Sequence, residues 1–106
     1  MQIKIFVTNT LLDSPNQLEE LKKIKFELIR IFGGLNESDM NTGYWVNENG
    51  KTEKDSVVTW ELLTDKQTFQ KNKQKFEELM RKIKKVTKQK TQLYTINPKI
   101  KPIDKK

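Results

Sequence analysis

The side chains that most often perform chemistry are partly missing from this chain: of its 106 residues none is His and none is Cys. Thiol nucleophiles, disulfides, iron–sulfur clusters and the usual zinc sites are excluded. So are Ser-His-Asp and Cys-His nucleophile systems and any histidine pH switch. What remains is carboxylate, lysine, tyrosine or backbone chemistry, or Mg²⁺ or Ca²⁺ held by carboxylates. Asp39 or Asp55 with Tyr44 could serve as acid and base, but no spacing singles out a pair. Glu37, Asp39, Glu53 and Asp55 could meet a hard cation; their spacing matches no EF-hand, and solvated loop acids account for them as well. The expectation is a protein that is not an enzyme, with no cofactor and no metal site.

Residues with binding chemistry are easier to find. Gly33-Gly34-Leu35-Asn36 opens a polar stretch that ends in Gly43-Tyr44-Trp45. Amides at Gly33 and Gly34 could hold an anion, or the pair could simply cap a helix. No Gly-Lys-Ser/Thr follows, so this is not a Walker loop. With Phe6, the residues Gly33, Gly34, Asn36, Tyr44 and Trp45 form the candidate ligand or partner set. Trp45 and Trp60 fall on neighbouring strands, as core packing or as an aromatic wall for a ligand.

The second candidate is electrostatic. The net charge is +7, yet residues 81–106 hold ten Lys or Arg against one Asp, leaving the remainder slightly acidic. Arg81, Lys82, Lys84, Lys85, Lys88 and Lys90 form its densest part, with no acid between them. Such a cluster suits a polyanion, nucleic-acid phosphates included. It equally suits the C-terminus of a solvated helix, where cations favour the dipole. Lysine rather than arginine predominates, which favours backbone contact over base reading.

These residues are positioned by a short series of elements. Ile3, Ile5 and Val7 alternate with polar neighbours, predicting a strand over about 2–9. Asp13-Ser14-Pro15 starts a helix over 16–32, carrying Leu18, Leu21, Ile24, Leu28, Ile31 and Phe32 on one face. Residues 35–42 read as loop and 43–46 as a strand. Asn49-Gly50 signals a hairpin into a long strand near 53–64. There Ser56, Val58, Trp60 and Leu62 face the core, because that set holds the larger side chains. Phe6, Val57, Thr59, Leu63 and Tyr94 would face outward. Thr64-Asp65 caps a second helix over 66–87, striped by Phe69, Phe76, Leu79, Met80, Ile83 and Val86. Leu93–Ile96 is a last strand, and 98–106 a loose basic tail.

The order β-α-β-β-α-β specifies an α+β fold, the ferredoxin-like split βαβ, with a four-stranded antiparallel sheet and two helices on one face. Residues 1–97 form one domain on this view. RNA-recognition domains share the order, but their Lys/Arg-Gly-aromatic run is missing from the third strand. The pattern Gly33-Gly34-Leu35, Gly43-Tyr44-Trp45, Gly50 and Asp55-Ser56-Val57-Val58 resembles one found in small uncharacterised bacterial and phage proteins, some of them ferredoxin-like. The resemblance implies the hairpin placement and no particular activity.

The N-terminus lacks a basic region followed by a long apolar run, and no stretch is apolar enough to span a membrane. A cytoplasmic location is expected. The functional expectation is a non-enzymatic binding or assembly module, encoded by a phage or plasmid and acting through a homodimer or protein partner. A nucleic-acid-associated protein and a small-molecule binder at the 33–45 loop are the alternatives.

Overall fold

The computed structural model describes residues 1–8, 15–89, 91–97 and 99–103. In chain order the elements are β1 (Gln2–Thr8), α1 (Pro15–Phe32), β2 (Asn36–Glu37), β3 (Asn41–Val46), β4 (Thr52–Leu63), α2 (Lys66–Val86), β5 (Gln92–Ile96) and β6 (Lys99–Ile103). The fold is α+β, with two helices and an antiparallel sheet of six strands among the described residues. The sheet runs β2-β4-β1-β5-β6, and β3 pairs β4 beside β2. The sheet is therefore larger than the four strands expected. Two additions account for it. Part of the expected 35–42 loop bridges to β4 as β2, Asn36 opposite Glu61 and Glu37 opposite Trp60. Residues 99–103, expected as a loose tail, pair with β5 as β6.

Alternation decides which face is buried. Ile3, Ile5 and Val7 of β1 lie opposite Leu62, Trp60 and Val58 of β4, so all six point to one side. Both helices cover that side with Leu21, Ile24, Leu28 and Phe32 of α1 and Phe69, Phe76, Leu79, Met80 and Ile83 of α2. Phe76 sits at the middle, with ring centroids 5.1 Å from Tyr94, 5.3 Å from Phe69 and 6.1 Å from Phe32. Tyr94 is thus a core residue, only 5% exposed, and not part of the outward face. Its phenol is pushed above the ordinary range by burial and, second, by the nearby Glu77 carboxylate. Leu18 departs from its expected stripe and is 58% exposed.

Local chemistry ends each helix. Gly33 takes φ +91°, a conformation only glycine adopts without strain, and its N–H donates to Ile29 O at 2.7 Å. At the start of α2, Asp65 Oδ1 accepts from Thr68 N–H at 2.6 Å and Oδ2 accepts from the Thr68 hydroxyl at 3.0 Å. These bonds, the backbone one foremost, hold the Asp65 carboxyl below its usual range. A depressed carboxylate stabilises the fold above the unfolded value of about 4, and that contribution is lost as pH falls through the lowered value. Asp65→Asn retains an acceptor at neutral pH but cannot titrate. Its urea midpoint is therefore expected to fall less than that of the wild type between about pH 5 and pH 3. Parallel midpoints across that range would contradict the cap.

The C-terminus of α2 closes as a Schellman motif. Gln89 N–H donates to Lys84 O at 3.0 Å and Lys88 N–H to Lys85 O at 3.3 Å. Lys88 occupies the left-handed position at φ +57°, where glycine is normally found. Lys88→Gly is expected to raise stability by about 0.5–1 kcal/mol in urea denaturation, because the Cβ penalty disappears.

Candidate functional site

Six of the expected site residues belong to the ligand set, and the structure disperses them. Gly33, Gly34 and Asn36 line a shallow cavity of about 340 Å³ with Glu61 and Leu63. The Gly33 amide is already used as the helix cap, so it is not free to hold an anion. Asn36 also borders Phe6 in a second shallow cavity, with Lys4, Ser38 and Thr59. Tyr44 and Trp45 lie elsewhere. β3 pairs with Thr52–Val57, whereas β1 pairs only with Val57–Leu63. The β3–β4 hairpin therefore projects past the sheet as a two-stranded ribbon. Tyr44 is 72% and Trp45 46% exposed on it. Trp45 does not reach the buried Trp60, and the two build neither a shared core nor a wall. The ribbon turn is a five-residue loop in which Asn47 Oδ1 accepts from Asn49 and Lys51 N–H, and Gly50 supplies φ +78°.

The acidic residues do not converge either. Glu37 Oε1 accepts from Lys25 Nζ at 2.6 Å and from Trp60 Nε1 at 3.0 Å, with Lys25 lying 5.5 Å from the Trp60 ring centre. This cluster pins β2 to α1 and leaves Glu37 satisfied. Among the described residues no group of three or more acids could hold a metal ion. The basic residues do converge: Arg81, Lys82, Lys84, Lys85 and Lys88 line one cavity of about 700 Å³ at the end of α2, with Gln89. Lys90 lies outside the described residues.

The site with the most built chemistry is on the sheet face away from the helices. It is a cavity of about 360 Å³, within the usual span for small-molecule sites. Phe6, Val57 and Leu93 give it apolar surface; Thr8, Asn41, Thr42, Thr59, Gln89 and Thr91 give it polar surface, and the almost fully buried Gln92 borders it. None of these described lining residues is charged. The local cause is a break in the sheet. The β1–β5 ladder ends where Ile5 faces Tyr94, and beyond it a side chain replaces the backbone donor. Gln92 Nε2 donates to Phe6 O at 2.6 Å and to Leu93 O at 3.0 Å. Gln92 is 1% exposed, and its Oε1 has no hydrogen-bond partner. An acceptor left so costs about 1–3 kcal/mol. The amide cannot rotate to relieve this, since the two carbonyls require the NH₂ group.

Of this set the sequence names Phe6 as a site residue, puts Val57 and Thr59 beside it on the outward face, and includes Asn41, Thr42 and Gly43 in the 33–45 stretch, but it does not bring these together with Gln89, Thr91, Gln92 and Leu93. Gln92 carried one overlooked signal: alternation puts it on the core side with Tyr94 and Ile96, where a glutamine is unexpected.

No protein-family model matches the chain, and no curated protein matches it. Solved structures do. A phage SAM lyase in complex with S-methyl-5'-thioadenosine superposes with TM-score 0.65 at 14% identity, over 98% of this chain and 88% of that one. The same lyase in its apo state gives 0.64, again at 14% identity, over 99% and 89%. The periplasmic divalent cation tolerance protein CutA from Archaeoglobus fulgidus gives 0.52 at 19% identity, over 97% and 82%. These likenesses establish the fold. They also correct the expectation of a non-enzymatic binding or assembly module: the chain shares its whole-length architecture with an enzyme. Among the described residues, no helix is long and apolar enough to cross a membrane.

Proposed function

We propose that this chain is an enzyme acting on SAM or a similar sulfonium nucleoside, cleaving it to a thioether nucleoside. The observation that carries this is the match in fold to the phage SAM lyase along nearly the full length of both chains. The cavity against Phe6 supports it, because a flat aromatic ring among neutral hydroxyl and amide groups suits a nucleoside.

The lack of His and Cys is compatible with such chemistry. A sulfonium leaves as a neutral thioether, so its departure needs no acid. The bond between sulfur and the γ-carbon breaks, and its electron pair neutralises the sulfur. The substrate's own carboxylate can close on the γ-carbon through a five-membered ring, so no protein nucleophile is required. The protein's part is then to hold the reacting atoms together and to exclude water.

The finer fold reading is ferredoxin-like: β1, α1, β3, β4, α2 and β5 form the βαββαβ core, with β2 and β6 added. Self-association belongs on the ribbon, where Tyr44, Trp45 and Val46 are all exposed. Light scattering is expected to give a multiple of the chain mass, and Tyr44→Ser with Trp45→Ser to reduce it; a monomeric wild type would refute this.

The direct test incubates the purified chain with SAM and follows both nucleosides by chromatography. S-methyl-5'-thioadenosine should accumulate as SAM disappears, in proportion to protein. Turnover no faster than the protein-free control would overturn the proposal.

A further inference from the structure

We propose that the end of α2 carries a second site, for the phosphate backbone of a nucleic-acid strand: Arg81, Lys82, Lys85 and Lys88 meet successive phosphates and leave the bases unread. The site does not depend on the enzymatic reading of the chain.

Elsewhere the helices interleave the two signs of charge. Lys23 pairs with Glu20, Arg30 with Glu27 and Lys75 with Glu78, in each case three residues apart. Between Arg81 and Lys88 there is no acid. Arg81, Lys82, Lys84, Lys85 and Lys88 instead line one cavity of about 700 Å³. Among the described residues no acid pairs with Arg81, Lys82, Lys85 or Lys88. Arg81 stands four residues from Lys85, and Lys84 four from Lys88, so like charges adjoin and weaken the helix. A bound anion relieves that repulsion.

The cations are not consumed as helix caps. Val86 O accepts from Gln17 Nε2 at 3.0 Å, and Thr87 O from Gln89 Nε2 at 3.1 Å. Ile83 O, Lys84 O and Lys85 O accept from the N–H groups of Thr87, Gln89 and Lys88. Each carbonyl from Ile83 to Thr87 therefore already has a donor, and the exposed Lys82, Lys85 and Lys88 are left for a ligand. Arg81 to Lys88 covers about 10 Å of helix at ~1.5 Å per residue. A nucleic-acid strand carries one charge per ~3.4 Å of its axis, so about three phosphate steps match that length. The described lining has no aromatic ring on which a base could stack and no apolar side chain to enter a lipid surface. Lysines meet phosphates as point charges, which suits backbone contact without base reading.

Fluorescence anisotropy of the full chain with a labelled, short single-stranded oligothymidylate tests the site. Affinity is expected to fall with salt, with a slope of about −2 to −3 in log K against log salt, as for three or four phosphates. Lys82→Gln, Lys85→Gln and Lys88→Gln together should weaken binding at least ~10-fold and flatten the slope by about 2. Lys66→Gln, Lys71→Gln and Lys73→Gln remove the same charge from exposed positions nearer the start of α2 and should weaken binding by less than ~3-fold. An oligocytidylate of equal length should bind as the oligothymidylate does. No binding, or an affinity indifferent to salt, would overturn the proposal, as would equal losses in the two triple variants. Tighter binding of inorganic triphosphate than of the strand would replace the nucleic acid with a compact anion. A preference above ~10-fold between the two strands would contradict a backbone contact. Circular dichroism reports whether both variants fold; if either does not, the wild-type salt slope and the triphosphate comparison decide.

Discussion

Phe76→Ala is expected to destabilise the protein by about 3–5 kcal/mol, the usual cost of emptying a fully buried aromatic position. Phe76 has no exposed surface and stands between Phe69, Tyr94 and Phe32. Two terms add. The lost apolar area weakens burial, and the cavity left behind cannot collapse, because α2 is held against both α1 and the sheet. Domains of this size are stable by only about 5–15 kcal/mol, so the loss is a large share of the total. Urea denaturation followed by circular dichroism measures it. Leu18→Ala, on the expected stripe of α1 but 58% exposed, should change stability by no more than about 0.5 kcal/mol. Similar losses for the two variants would mean that the core is not centred on Phe76.

Phe6→Ala is expected to weaken binding of S-methyl-5'-thioadenosine by about 1–3 kcal/mol, roughly 5- to 150-fold, the range measured for aromatic stacking on bases. Phe6 points away from the helices, since its neighbours Ile5 and Val7 take the core side. Its loss should therefore cost much less stability than that of Phe76. Calorimetry on the folded variant separates the two effects. Unchanged affinity would remove the open face as the nucleoside site and leave the cavity without its aromatic wall.

Both variants probe positions whose roles were unequally visible in the chain. The stripe of Phe69, Phe76, Leu79, Met80 and Ile83 follows from helical spacing, and Asp65 announces its cap three residues before Thr68. Ile3, Ile5 and Val7 follow from alternation in the same way. The hairpin was visible in Gly50, although its turn is closed by the Asn47 side chain rather than by two residues alone. Less visible was the edge of the sheet. Asn36-Glu37 is too short to alternate, and Lys99–Ile103 contains Pro102, which argues against a strand unless it lies at an edge.

The sequence by itself determined the two helices, the core faces of β1 and β4, and the absence of thiol and imidazole chemistry. All of these depend on neighbours a few residues apart or on composition. The candidate site was decided by the tertiary structure alone. Phe6, Thr42, Thr59 and Gln92 meet only because β4 and β5 both pair with β1 and because the β1–β5 ladder stops at Ile5. Gln92 donates to Phe6 across 86 positions of chain, and no periodicity extends that far. The absence of familiar catalytic residues bears on which groups the chain can offer. Whether they enclose a substrate depends on where the sheet opens.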